Sequence, residues 1–234
     1  MLRKIDNTKM GSSNLGWLQS KFHFSFAEYY NPKNVHFGEL RVINDDLVKP
    51  DTGFGLHPHR DMEIVTYVVN GELTHGDTMG NKETISRGHV QYMSAGTGVL
   101  HSEYNHGDDM LRFLQIWILP DASGYKPNYG DYRFNWDDRV NKWLNIVSPQ
   151  NGDAKIKIQQ DASIYVTELD KENSAKFEVG EGRQAYLVQI EGSSDINGVT
   201  LDTRDALEIV EEDIVIEAIE KSHILVIEME KFVA

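Results

Sequence analysis

Short apolar runs separated by glycine-containing turns recur along most of this chain. From residue 63 to residue 98 the sequence reads EIVTYVVNGELTHGDTMGNKETISRGHVQYMSAGTG, with turns expected at Gly71, Gly80 and Gly88. Runs of this length, rich in Val, Ile, Thr and Tyr and bounded by Gly and Asn, are typical of strands. Strands that follow one another at regular spacing predict an all-β sandwich or barrel.

Two local signals refine this prediction. Asn70-Gly71 lies between two apolar runs, and Asn-Gly favours the tight turn of a two-residue hairpin. We therefore expect the flanking runs to pair with each other. Pro58 cannot donate a hydrogen bond to a neighbouring strand, so its strand should lie at an edge, at a bulge or at the mouth of a barrel.

The second half of the chain repeats the pattern of the first. The segment YLVQIEGSSDINGVTLDTRDALEIVEED can be laid beside TYVVNGELTHGDTMGNKETISRGHVQYMSAG, which indicates a weak internal repeat and two similar β barrels. Residues 123–143 are polar, aromatic and without clear periodicity, and are interpreted as the connection. We expect domains at 1–133 and 134–234, with few short helices; NWDDRVNKWLNI is the one candidate helix.

Composition excludes several classes of function. The formal net charge is -14, and no Lys/Arg cluster is present, which argues against direct contact with nucleic acid or an anionic membrane. The absence of cysteine excludes disulfides, zinc–thiolate sites, iron–sulfur clusters and a cysteine nucleophile. The first residues lack the apolar region of a signal peptide, and the apolar segment 113–119 is too short to span a bilayer. A cytoplasmic location is expected.

Two pairs of metal-ligating residue types stand at strand spacing. His57 and His59 are two residues apart, as are His101 and Glu103. Because side chains alternate faces along a strand, each pair can point to one side of its own strand. If the two strands face one interior, three imidazoles and one carboxylate converge. Three nitrogens and one hard oxygen suit a divalent iron, manganese, nickel, copper or zinc ion with positions open for substrate.

Other polar residues near these pairs leave alternatives open. Glu63, four residues after His59, has the same parity and is a rival oxygen ligand, unless it points to solvent or into an ion pair. Asp61 shares that parity and the same alternative. His75 lies near a turn and is interpreted as exposed. Phosphate-cradling loops, dinucleotide-binding fingerprints and the GxSxG elbow are not found.

The two paired segments, HPHRDMEIVTYVVNGE and GHVQYMSAGTGVLHSEYN, resemble the two motifs of the cupin superfamily. The resemblance is closest to the pirin family, including its bacterial quercetin 2,3-dioxygenase-like members. RVINDD, HGDTMGNKE, FLQIWILP and FHFSFAEYY support it. It covers residues 15–135 in detail and the remainder as architecture.

The resemblance implies a bicupin, with two tandem antiparallel, jelly-roll-like β-barrels. The resemblance places the metal only in the N-terminal cupin domain, 1–133. This agrees with the sequence of the cupin-like domain, 134–234, which contains one histidine, His223. The family's ligand pattern, carried onto this chain, gives His57, His59, His101 and Glu103. The wider cupin pattern would place its carboxylate at Glu63, which leaves Glu63 as a candidate catalytic base or a neighbour of the ligands.

The activity implied by the resemblance is that of a quercetinase-type dioxygenase, which opens the central ring of a flavonol with O2 and releases carbon monoxide. Fe²⁺ is the expected metal, with Ni, Mn, Cu and Zn as alternatives. Glu103 would act as base if its metal bond is loose, and Glu63 otherwise. The aromatics of Phe22–Tyr30 and Phe54 are interpreted mainly as core, and they could also line an apolar mouth for a flat substrate.

Two other functions are compatible with the same residues. One is a metal-dependent regulator that acts through a protein partner, as eukaryotic pirins are thought to do. The other is a cupin enzyme acting on a different small enol. We expect the protein to be a monomer in each case.

Overall fold

Antiparallel strands form nearly all the regular structure of the chain in the computed structural model, which describes residues 1–231. The first twelve strands are β1 (Leu2–Ile5), β2 (Gly11–Asn14), β3 (Leu18–Phe22), β4 (Leu40–Val48), β5 (Thr52–His59), β6 (Glu63–Asn70), β7 (Glu72–Asp77), β8 (Lys82–Ser86), β9 (Val90–Ser94), β10 (Val99–Asn105), β11 (Leu111–Ile118) and β12 (Asn128–Tyr132).

The remaining strands are β13 (Leu144–Pro149), β14 (Ile156–Ile158), β15 (Ala162–Leu169), β16 (Ser174–Phe177), β17 (Arg183–Glu191), β18 (Ser194–Ile196), β19 (Val199–Leu201), β20 (Ala206–Val210), β21 (Ile214–Ala218) and β22 (Ser222–Glu230). Short 3-10 helices occur at Asn7–Lys9 and Trp136–Arg139, the latter within the predicted candidate helix. Among residues 1–231, no helix is long and apolar enough to cross a membrane.

The first structural unit contains residues 10–134 together with 158–160. Its seven-stranded sheet has the order β12-β9-β6-β11-β4-β3-β2, and its four-stranded sheet has the order β5-β10-β7-β8. The central strand β6 is buried along nearly its whole length, whereas β10 alternates buried and more exposed residues. This alternation gives β10 one inward face, which carries His101, Glu103 and Asn105.

The second unit contains residues 1–9, 135–157 and 161–231. Its sheets have the orders β1-β20-β17-β22-β15-β13-β14 and β16-β21-β18-β19. Strands β20-β17-β22-β15 repeat the order of β9-β6-β11-β4, and β16-β21-β18-β19 repeat that of β5-β10-β7-β8. The predicted all-β fold of two tandem antiparallel units is thereby confirmed.

The strands of the second unit that correspond to β5 and β10 carry an apolar interior. These are β16 and β21, and Phe177, Ile214 and Ile216 from them belong to one buried hydrophobic cluster. Apolar side chains therefore fill this barrel where the first unit has histidines.

The N-terminal residues belong to the second unit, a feature that the sequence-based ranges 1–133 and 134–234 do not include. Strand β1 pairs along its length with β20, with Leu2 opposite Ile209. Lys4 Nζ also lies 2.7 Å from Asp205 Oδ2. A strand this short carries too little periodicity to reveal its partner from sequence.

The predicted hairpin at Asn70-Gly71 is wrong, although the turn is present. Strand β6 pairs with β9 and β11, whereas β7 pairs with β8 and β10 in the other sheet. The turn is a corner between two sheets. Gly71 has φ +77, and a Cβ there would lie 2.9 Å from Leu111 Cα, so the corner requires glycine.

The prediction from Pro58 is confirmed. Strand β5 lies at the edge of its sheet. Its register against β10 shifts, because His101 is opposite His57 while Glu103 is opposite Phe54. One extra residue of β5 therefore bulges next to the first histidine.

Candidate metal centre

Three histidines from two paired strands meet in the first unit. His57 and His59 lie on β5 and His101 lies on β10, directly opposite His57. One ligand nitrogen from each histidine lies within 4.8 Å of the other two. The spacing of two on β5 and the pairing of β5 with β10 together produce this convergence, as the sequence predicts.

Hydrogen bonding and burial prepare these imidazoles to bind a metal. His57 Nδ1 lies 2.8 Å from the Gly55 carbonyl oxygen, which can only accept, so Nδ1 carries a proton and Nε2 is the nitrogen available to a metal. Burial, reinforced by His57, lowers the pKa of His59 to about 4. Burial and the neighbouring histidines lower the pKa of His101 to about 2. Neutral imidazole is the form that binds metals.

The donor set therefore fits a divalent first-row metal. The three nitrogens face one another, with Nε2 of His101 and Nε2 of His57 separated by 3.1 Å. No lysine or arginine is among the described residues that line the adjoining cavity. Three nitrogen ligands leave further coordination positions open, as catalytic sites require.

Glu103 is buried beside the histidines and is held by amide and hydroxyl donors. Its Oε1 accepts hydrogen bonds from Gln91 Nε2 at 2.6 Å and Thr66 Oγ1 at 3.2 Å, and its Oε2 accepts one from Gln115 Nε2 at 2.6 Å. Burial raises the pKa of Glu103 to about 7 despite these donors. Glu103 lines the same cavity as the β5 histidines, but it is not part of the group of mutually close ligand atoms.

Glu63 and Asp61 make other contacts. Glu63 is buried and accepts hydrogen bonds from Ser94 Oγ at 2.6 Å and from the Gln159 backbone N–H at 3.1 Å. Asp61 accepts one from the Gly124 backbone N–H at 2.7 Å. Neither is among the described residues lining the cavity next to the histidines. A role for Glu63 as base stays a prediction.

The expectation that His75 is exposed is wrong. It is 1% exposed, because it shares the inward face of β7 with Leu73. His75 Nε2 lies 3.0 Å from Asp77 Oδ2, and its ring stacks on Tyr129 with centroids 4.3 Å apart. The alternation of ELTHGD, which places His75 two residues after a leucine, was the available signal.

A cavity of about 290 Å³ adjoins the histidines. Aromatic rings form much of its wall, contributed by Phe22, Phe26, Phe54 and Trp117. The Trp117 ring packs edge-on against His59, with centroids 5.0 Å apart. The predicted aromatic segment thus supplies both roles considered for it, since Phe24 is buried in the core while its neighbours line the cavity.

Several polar residues of this site were not predicted from the sequence. They are Thr66, Gln91 and Gln115, which bind Glu103, and Asp46, which lines the cavity. The one signal for Gln115 is that it interrupts the apolar run FLQIWIL. A polar residue in a strand that is otherwise apolar indicates a buried hydrogen-bonding partner.

Comparisons with known proteins agree with the fold. The family model described as Pirin matches residues 4–118. The model described as Quercetinase C-terminal cupin domain matches residues 145–229.

Full-length relatives extend this match. The quercetin 2,3-dioxygenase of Escherichia coli (strain K12) is 43% identical over 212 residues, covering 90% of each chain. A pirin-like protein of Caulobacter vibrioides is 41% identical over 222 residues, covering 94% of this chain and 96% of the relative.

Solved structures match over the whole chain. YhhW from Escherichia coli superposes with a TM-score of 0.94 at 39% identity, covering 100% of both chains. The bacterial pirin YhhW in complex with nickel(II) gives a TM-score of 0.93 at 39% identity, covering 99% of this chain and 100% of that one. This chain is therefore a member of the pirin family, built from two cupin-type barrels.

Proposed function

We propose that this chain is a metal-dependent dioxygenase of the quercetinase type, which opens the central ring of a flavonol with O2 and releases carbon monoxide. The observation that carries the proposal is the cavity in which the histidine side chains border aromatic walls. Its volume of about 290 Å³ and its apolar lining suit a small flat aromatic molecule. The Escherichia coli relative named quercetin 2,3-dioxygenase supports this choice of reaction.

His57, His59 and His101 would hold the metal, and Glu103 is the proposed fourth ligand. A carboxylate buried this deeply is costly to ionise, and a neighbouring cation would offset that cost. Fe²⁺ is the proposed metal; nickel, which is bound in a related structure, and Mn, Cu and Zn suit the same donors. When bound, the metal supplies Lewis-acid chemistry, lowering the pKa of a coordinated hydroxyl.

The protein side chains position the substrate and accept its proton. The rings of Phe22, Phe54 and Trp117 would pack against the flat substrate and exclude water. Glu103 is the proposed base for the flavonol 3-hydroxyl if its bond to the metal is loose, because it lines the cavity beside the histidines. Glu63 is the weaker candidate, since it does not line the described cavity wall.

Turnover of quercetin tests the proposal. Protein purified without a metal-affinity step and loaded with Fe²⁺ should consume quercetin and release carbon monoxide. His101→Ala should reduce the rate by at least about 100-fold. His106→Ala, an exposed histidine, is the matched control and should retain the rate. Metal-loaded protein that consumes no quercetin would contradict the proposal and favour the protein-partner regulator or an enzyme for another enol.

A cytoplasmic location and a monomeric state stay predictions.

A further inference from the structure

Asp46 is a second acid in the wall of the cavity. It lies on β4 of the seven-stranded sheet, opposite Ser20 on one side and Phe113 on the other. Its chain neighbour Asp45 binds Arg112, with Arg112 Nη2 2.7 Å from Asp45 Oδ2. Asp46 instead lines the cavity that the β5 histidines border.

Asp46 has spare capacity to accept hydrogen bonds. It is 3% exposed, and Oδ1 has no hydrogen-bond partner within residues 1–231. Asn44, two residues earlier on β4, also lines the cavity, and its Oδ1 is likewise buried without a partner in the described chain. Glu103 differs, because both of its oxygens already accept hydrogen bonds from side chains. A buried acceptor without a donor is destabilising, and such atoms are uncommon in folded proteins.

The charges around Asp46 do not supply the missing donor. The described cavity lining contains no lysine or arginine. Burial raises the pKa of Asp46 to about 7, and the nearby Asp45 adds to this, while a hydrogen bond from Ser20 acts in the opposite direction. Asp46 lines the cavity and has an acceptor without a partner, so the hydroxyl donor of a ligand in the cavity is its natural partner.

We propose that Asp46, with Asn44 beside it, accepts hydrogen bonds from ring hydroxyls of the substrate, so that the site selects polyhydroxylated flat aromatics. This inference rests on the proposed function. Asp46 belongs to the seven-stranded sheet, whereas His57 and His59 belong to the four-stranded sheet. A ligand lying between the sheets would meet the histidines with one hydroxyl and Asp46 with another.

Binding of two flavonols tests the inference. Metal-loaded protein would be titrated without O2, following tryptophan fluorescence, with quercetin and with 3-hydroxyflavone, which has only the 3-hydroxyl. Wild-type protein should bind quercetin at least about tenfold more tightly than 3-hydroxyflavone. Asp46→Ala should remove this preference. The Kd of quercetin should rise about tenfold or more, while the Kd of 3-hydroxyflavone changes less than about twofold.

A second variant keeps the size of the side chain. In Asp46→Asn the remaining oxygen can accept from Ser20, which puts the amide N–H2 at the position of the unpartnered oxygen and replaces an acceptor with a donor. Asp46→Asn should show the same selective loss of affinity for quercetin. Asp108→Asn, at an exposed position, removes a charge elsewhere and should change neither Kd.

Each result has a defined meaning. If the Asp46 variants lost affinity for both flavonols equally, the inference would be overturned, because this would indicate a purely structural role. Equal affinity of wild-type protein for the two flavonols would also overturn it, without requiring any variant. If wild-type protein bound neither flavonol, both the inference and the proposed function would be wrong.

Discussion

Nε2 of His57 and Nε2 of His101 face each other across the β5–β10 pair at 3.1 Å. The Nδ1 proton of His57 is directed to the Gly55 carbonyl oxygen, so Nε2 is the ring nitrogen turned toward the other two histidines. A proton shared between the two rings would satisfy this pair alone and would not require the third imidazole. A cation satisfies the lone pairs of His57, His59 and His101 together, which is why we favour a metal.

Replacing Glu103 with glutamine tests its role as fourth ligand. Glu103→Gln keeps the size of the side chain but places an amide N–H2 where Gln91 and Gln115 donate. We expect metal affinity to fall at least about tenfold with the fold retained. Isothermal titration of metal into metal-free protein would measure it, with Glu72→Gln at an exposed position as control. Unchanged affinity would exclude Glu103 as a ligand.

Gly53 allows β5 and β10 to approach closely. A Cβ at Gly53 would lie 2.3 Å from the backbone oxygen of Glu103, whereas a Cβ at Gly55 would meet only Tyr104 Oη at 3.7 Å. Gly53→Ala should therefore lower the free energy of unfolding by about 1–3 kcal/mol and weaken metal binding. Urea denaturation and metal titration measure the two effects. Gly55→Ala is the matched control on the same strand, and equal behaviour of the two variants would contradict the packing described.

The pKa of Asp46 predicts a pH-dependent stability. Because its pKa is raised in the folded state to about 7, the folded protein binds more protons than the unfolded chain between about pH 4 and 7. The contribution of Asp46 to stability is therefore lost as pH rises through about 7. Asp46→Asn lacks this loss, so its stability relative to wild type should rise by up to about 1.4 kcal/mol per pH unit over that window, then level off.

Urea unfolding of the metal-free protein at several pH values between about 5.5 and 8 measures this difference. Asp108→Asn, which is exposed, should show the same pH dependence as wild type. A constant difference between Asp46→Asn and wild type over the whole range would show that Asp46 titrates normally.

The histidine cluster could be predicted because it depends on strand periodicity. His57 and His59 share a face of one strand, and His101 lies directly opposite the first of them. Pro58 correctly indicated an edge strand. These features follow from alternation and backbone chemistry, which act over a few residues.

The surroundings of Glu103 could not be predicted from local pattern. Its partners Thr66, Gln91 and Gln115 come from three different strands of the opposite sheet, and only the packing of two sheets brings them together. The corner at Asn70-Gly71 was mistaken for a hairpin for the same reason. Turn chemistry identifies the bend but does not say which sheet each flanking strand joins.

Metal content is the most direct test of the metal centre. Wild-type protein and His57→Ala, His59→Ala and His101→Ala, all purified without a metal-affinity step, would be dialysed against Fe²⁺ without O2 and analysed for bound metal, with exposed His106→Ala as control. We predict about one equivalent in wild type and control, and less than about a tenth of that in each of the three variants. Full metal content in any of the three would contradict a shared site.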